Sequence, residues 1–298
     1  MTANAASPDT PRTAGRLRPG SVEFTLLLAF SMAASALSID TLLPALSRIR
    51  EAFDLGSDKA ATAGLVTMFM LGSGLSLLPS GLLADRYGRR PVLWGGFALY
   101  LLGAVGSALA PNLGLMLAAR FAWGVGAAGP RVAAMAMVRD VYSGERMAKQ
   151  MSFMMAVFIL VPVVAPSIGA LLTAVAHWRF VFWFCALASI GVVAWSMRLP
   201  ETLPDGARRG LSLRDITAGT RTVLTTPGTG WYLAALVPLF GVFVAYLSSS
   251  ELLLDDVYGL KKWFPLIFSA QAASMGVMMV LNGRIVEHVG LDRLNRIL

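Results

Sequence analysis

Two side chains stand where an apolar chain has least reason to put them. Asp40, in SIDTLLPAL, falls about two-thirds of the way along the first apolar stretch, and Arg120 sits about eight residues into the fourth. A carboxylate within the hydrocarbon layer costs about 2.5–3.5 kcal/mol on insertion scales, so it must face a cavity or a partner. Low dielectric disfavours its charged form. Such a group can take up and release a proton, or bind a cationic substrate. The plainer reading is a solvated carboxylate at the outer interface, near a helix end. Arg120 lies about 12 Å deep at 1.5 Å per residue. It keeps its charge, so it must be paired or wet, and its plainer reading is a fixed salt bridge between spans. Arg131 lies within snorkelling reach of the interface and reads as an anchor.

A third constellation is GLLADRYGRRPVL at 81–93, which holds Gly81, Asp85, Arg86, Gly88, Arg89 and Arg90, its charges following directly on the charge-free run 60–84. The arginines suit a loop retained on the cytoplasmic side, and the two glycines suit close helix approach and a tight turn. Topology does not explain Asp85. An acid beside a helix N-terminus or an arginine is stabilising, which would make it a conformational latch. A weaker copy, GRIVEHVGLDRLN at 283–295, aligns Gly283, Glu287 and Gly290 with Gly81, Asp85 and Gly88. The fourth and fifth apolar stretches carry Gly126, Gly129, Pro130, Pro162, Pro166 and Gly169. Proline removes a backbone donor and bends a helix, while small residues let helices approach. Bending for a cavity that changes access and simple tight packing both fit the glycines; packing explains the clustered prolines less well.

The elements that must position these residues are membrane spans. The chain is 56% hydrophobic and 14% charged, against about 25% charged in a soluble domain, with mean hydropathy +0.66. Charge-free runs cover 60–84, 91–119, 150–178, 180–197, 222–250 and 263–283. A crossing needs about 20 apolar residues. Eight helical spans are expected at about 22–46, 60–82, 91–110, 113–136, 150–173, 179–198, 231–252 and 264–284, with turns at Pro111-Asn112 and His177-Trp178. Continuous apolar runs without alternation exclude a barrel. With the amino terminus and every second loop on one side, that side carries 17 Lys and Arg and the other 6. Both termini are therefore expected in the cytoplasm, and the net charge of +8 reads as topology rather than nucleic-acid binding. One cysteine, Cys185, and two distant histidines, His177 and His288, offer no disulfide framework or metal set. No HExxH, paired intramembrane aspartates or GxSxG with a following histidine marks an enzyme. Expected domains are a polar tail (1–20), a six-helix transmembrane domain (21–199), a linker (200–230) and a partial second transmembrane domain of two spans (231–298). "LSLRDITAGTRTVL" in the linker reads equally as a surface amphipathic helix or a solvated connection. Tyr246, Gln271, Ser274 and Asn282 could line a cavity, and Glu251 reads as interfacial.

In these residues the chain resembles the major facilitator superfamily, and within it the Bcr/CflA-like proton-coupled multidrug exporters. GLLADRYGRR resembles the loop signature after the second span, RFAWGVGAAGPRVAAMAMVRD (120–140) the fourth-span signature, and VPVVAPSIGALL (161–172) the fifth-span antiporter motif. SIDTLLPAL (38–46), HWRFVFWF (177–184) and LPETL (199–203) resemble the exporter subgroup. Trp123 departs from a usual glutamine, and Ala165-Pro166 from a common Gly-Pro pair. The resemblance implies an all-α integral membrane fold with a complete six-helix first bundle and two helices of a second. It implies alternating access, exchange of lipophilic small molecules for protons, no cofactor beyond the proton gradient, and a bacterial inner-membrane location. Arg120 would couple proton movement to transport, and the catch for Asp85 would lie late in the second half, beyond Leu298. Twelve spans are expected of such a transporter, monomeric when complete. The alternatives are a truncated, non-transporting fragment and an uptake-type facilitator of another solute.

Overall fold

The structure, a computed structural model, describes residues 17–56, 59–204, 206, 221–222, 225–226 and 229–289. Among these the regular elements are helices: α1 (Val22–Asp40), α2 (Leu46–Ala52), α3 (Lys59–Tyr87), α4 (Arg89–Leu109), α5 (Leu113–Val141), α6 (Gly144–Val175), α7 (Phe180–Ser196), α8 (Thr229–Asp256) and α9 (Phe264–Val289). A 3-10 turn at Leu43–Ala45 joins α1 to α2 as one span, Val22–Ala52. Six described helices are long and apolar enough to cross a membrane, and α7 and Phe264–Met278 of α9 are shorter apolar helices. Together they occupy the eight expected positions. Helices are the form an apolar chain must take where no water satisfies its backbone.

Side-chain caps set the ends where the sequence turns. Ser21 accepts from the Phe24 amide at 3.1 Å and Asn112 from the Leu115 amide at 2.9 Å, so α1 and α5 begin beside their caps. Pro111-Asn112 and His177-Trp178 both fall between helices, as expected. Other ends differ from the expected spans. α3 runs to Tyr87, α5 to Val141, and α6 starts at Gly144, so helices project past their apolar runs. Asp85 and Arg86 consequently occupy the last turn of α3 rather than a loop, and the whole α3–α4 connection is Gly88. Residues 1–16 of the tail, most of 211–224 and Gly290 lie outside the described residues. Gly283 and Glu287 are helical in α9, as Gly81 and Asp85 are in α3.

α5 is the centre of the bundle. It packs along α4 and α3, and also meets α1, while α1 packs on α6 and α7. α8 leans on α3 and α9 on α6, so the two later helices straddle the first bundle. Close approach needs the absence of a side chain at Gly126, where a methyl would overlap the Tyr100 amide and lie 2.8 Å from the Gly96 carbonyl. α5 and α6 continue unbroken through Pro130, Pro162 and Pro166. The expected bending glycines in α5 are contact points: Gly126 and Gly129 face the backbone of α4, and Gly169 of α6 faces Thr41 just past the end of α1.

Replacing Gly126 by alanine pushes backbone against backbone and should cost about 1–3 kcal/mol. Gly95→Ala, whose new methyl meets nothing within 4 Å, should be silent. Thermal unfolding in detergent compares the two directly; equal melting temperatures would remove the close-contact account.

Candidate functional site: a central cavity, a buried arginine and a charged end

Asp40 is the last residue of α1 and is 3% exposed. It lines a cavity of about 270 Å³ enclosed by α1, α3, α5, α6, α8 and α9, at the small end of the ~300–1,000 Å³ typical of ligand sites. Among the described residues its carboxylate has neither a hydrogen bond nor an ion pair. Burial on a cavity wall favours the cavity reading of Asp40 over that of a solvated carboxylate. Phe69, Met70, Phe158, Pro162, Phe240, Phe243, Tyr246, Phe268 and Met275 form most of the wall. The Tyr246 hydroxyl donates to Gln271 Oε1, and its ring stacks on Phe268 with centroids 6.2 Å apart. Of the residues the sequence pointed to, the fold brings Asp40, Tyr246 and Gln271 to one space. Ser274 does not line it.

Two sequence readings are corrected. Arg131, read as an anchor, lines the same cavity, its guanidinium carbon 5.7 Å from the Phe158 ring centroid. The helical turn of about 100° per residue swings it away from α4, against which Gly129 and Pro130 pack. Glu251, expected to be solvated at the interface, is buried. It is 2% exposed, beside the buried Ser248 and Ser250 on α8.

Arg120 is fully buried outside that cavity. No carboxylate pairs with it among the described residues. Nη1 donates to the Ser38 carbonyl at 3.1 Å and Nε to the Leu65 carbonyl at 3.2 Å. The rings of Trp123 and Phe69 lie 4.8 and 4.9 Å from its central carbon. Carbonyl dipoles and desolvated aromatic faces, the latter worth about 2 kcal/mol each, replace the salt bridge that sequence reasoning allowed. Trp123 thus puts a ring face on the cation where a glutamine would offer hydrogen bonds; Tyr100 and Phe182 pack against it in turn. Arg120 meets Asp40 only indirectly, through the α1 backbone two residues earlier. Phe69 separates the two regions, with Arg120 against its ring and its own atoms in the cavity wall.

The charged end is a network. Arg89, 7% exposed, pairs with Asp85 one turn back on α3 at 2.6 Å and with Asp140 near the end of α5 at 2.9 Å. Asp140 also accepts from the Thr202 hydroxyl at 2.9 Å. Glu201 caps α4, accepting from the Arg89 amide at 2.9 Å and the Arg90 amide at 3.1 Å. Carboxylates at a helix N-terminus are favoured by its dipole and unpaired amides. Arg90 reaches the Met197 carbonyl at 3.4 Å and lies over Trp94 at 4.5 Å. Gly88 makes this possible: its φ is +106°, and a methyl there would stand 2.6 Å from Glu201 Oε2. Arg86 lies over Tyr87, and Gly81 faces Val132 of α5. Asp140, Glu201 and Thr202 were missed as site residues. The signal was available, because the topology places the acids at 140 and 201 on the same side as the arginines at 86–90.

The helical bundle, with six apolar helices in its first part and two after it, is consistent with the major facilitator fold. The Major Facilitator Superfamily pattern matches residues 28–298, and the chain belongs to that family. It is 30% identical over 232 residues to the multidrug resistance protein MdtL of Shigella flexneri, covering 75% of this chain and 56% of that protein. The Escherichia coli K12 MdtL matches to the same extent. The chain therefore spans little more than half the length of these relatives. Among solved structures it is similar to the D-xylose-proton symporter, with TM-score 0.67, 14% identity, and 91% of this chain and 70% of that one covered. A bacterial homologue of the human lysosomal transporter Spinster gives 0.68 at 19% identity, covering 91% and 64%.

The Arg89–Asp140 pair is mostly desolvated, with side-chain exposures of 9% and 14%, whereas Arg198–Glu23 is about half exposed at 52% and 42%. A double-mutant cycle on the first pair should give about 1.5–3 kcal/mol and on the second below ~1 kcal/mol, read from detergent unfolding. Equal coupling would mean that the junction is held by something other than its charges.

Proposed function

We propose that the chain acts in proton-coupled efflux of drugs or other lipophilic small molecules across the bacterial cytoplasmic membrane, by alternating access. The observation that carries this reading is Asp40. A carboxylate 3% exposed, on the cavity wall and without a partner among the described residues, is poised to take either a proton or a cationic group, but not both. Protonation then competes with substrate binding, and that competition is the exchange. The aromatic and methionine wall suits varied apolar bodies, since polarizable, flexible side chains adapt their packing. The multidrug resistance relatives support efflux over uptake. No cofactor is needed beyond the proton gradient, and the 17-to-6 distribution of Lys and Arg supports cytoplasmic termini.

Arg120 has a positioning role in this scheme. It holds the Ser38 carbonyl of α1, so the helix end that carries Asp40 is tied to α5. Gly81, Asp85, Arg86, Gly88, Arg89 and Arg90 act as a conformational latch. Within the described residues its members Asp85 and Arg89 are engaged with each other and with Asp140.

In inverted vesicles carrying the 298-residue chain, a proton gradient should drive accumulation of a lipophilic cationic dye. Asp40→Asn should abolish it with membrane insertion intact. Efflux unchanged by the substitution would sink the role of Asp40, and no dye movement by the unmodified chain would sink the transport reading.

A further inference from the structure

The cavity holds a second charge that proton-for-cation exchange does not use. Arg131 lines it from α5 while Asp40 lines it from α1. No ion pair joins the two, and among the described residues the Arg131 guanidinium donates no hydrogen bond; its neighbour is the Phe158 ring at 5.7 Å. Guanidinium stays protonated in proteins, and a planar fork of donors without acceptors matches the two oxygens of a carboxylate, phosphate or sulfonate. A site meant for simple lipophilic cations gains nothing from a fixed positive charge in the same cavity as the carboxylate that would bind them, since like charges repel at low dielectric. Between and around the two charges the wall is aromatic, including Phe69, Phe240, Phe243 and Phe268.

We propose that the cavity takes a zwitterionic amphiphile: an apolar, aromatic body with an acidic group held by Arg131 and a cationic group held by Asp40. The proposal rests on the transport reading above and narrows its substrate class. Arg131 is then the residue that sets specificity, and Asp40 remains the group at which substrate and proton compete. Each charge is met by a partner that water had to leave, which is where a polar contact discriminates most strongly.

The test uses three probes with one apolar body: naphthylalanine (zwitterion), its methyl ester (cation only) and its N-acetyl derivative (anion only). Binding to the full 298-residue chain in lipid nanodiscs is measured by equilibrium dialysis, with dye extrusion followed separately in vesicles. Naphthylalanine should bind about tenfold more tightly than either derivative, the scale of one charge-assisted hydrogen bond. Arg131→Gln should weaken naphthylalanine and the N-acetyl derivative about tenfold and leave the ester unchanged. Arg131→Lys should recover part of the loss, which a misfolded variant would not. Asp40→Asn should show the converse pattern. An ester that binds as tightly as naphthylalanine, or affinities untouched by Arg131→Gln, overturns the proposal while dye extrusion leaves the transport reading intact. No binding of any probe by a chain that extrudes dye also overturns it. A chain that neither binds nor extrudes overturns both readings.

Discussion

Backbone contact between α5 and its two neighbours is the constraint from which the other features follow. Apolar burial does not drive helices together in lipid, because the tails are as apolar as leucine; close packing and polar contacts do. At Gly126 and Gly129 α5 meets the main chain of α4, and at Gly124 it meets the main chain of α3 at Phe69. Once α5 is seated at that depth, its periodicity assigns the rest. Arg120 and Trp123 turn into the protein, Arg131 turns into the cavity, and Asp140 arrives beside Arg89. Four functional positions on one helix are thus placed by a handful of missing methyl groups.

α5 and its neighbour α4 show how a membrane protein holds charge in three settings. Arg120 is fully buried and is held by carbonyls and ring faces. Arg131 lies in a cavity wall against one ring. Arg89, across from the end of α5, is held by two carboxylates where the helices run past their apolar segments. The number of available acids rises towards the helix ends, as the cost of placing a charge in hydrocarbon dictates.

Much of this was legible in the residues. Length and continuity of the apolar runs placed helices at all eight expected positions, six of them long and apolar enough to cross a membrane, and Pro111-Asn112 and His177-Trp178 gave two of the turns, because both signals are local. Asp40 and Arg120 could be singled out by cost alone. What the chain did not disclose was which face each charge takes. Arg131 looked like an anchor because its distance from the interface was countable and its rotation about α5 was not. That rotation depends on which glycines touch α4, a property of pairs of helices. Glu251 was misjudged for the same reason. The end of α3 was placed five residues early because the apolar run stops at Ala84, whereas the helix continues to Tyr87 on an Asp85–Arg89 pair, and α4 starts at once under a Glu201 cap contributed from more than 100 residues away.

The hydrogen bonds of Arg120 also have a consequence for how the protein is made. A helix with a buried guanidinium at its eighth residue is the least favourable of these segments to hand to a bilayer. Its two acceptors, the carbonyls of Ser38 and Leu65, lie on α1 and α3, and both precede it in the chain. During synthesis, which proceeds from the amino terminus, the sites that receive the charge are already in the membrane when the charge arrives. Reordering the same helices would leave every contact of the finished bundle possible, yet it would expose Arg120 to lipid for as long as its acceptors were still unmade.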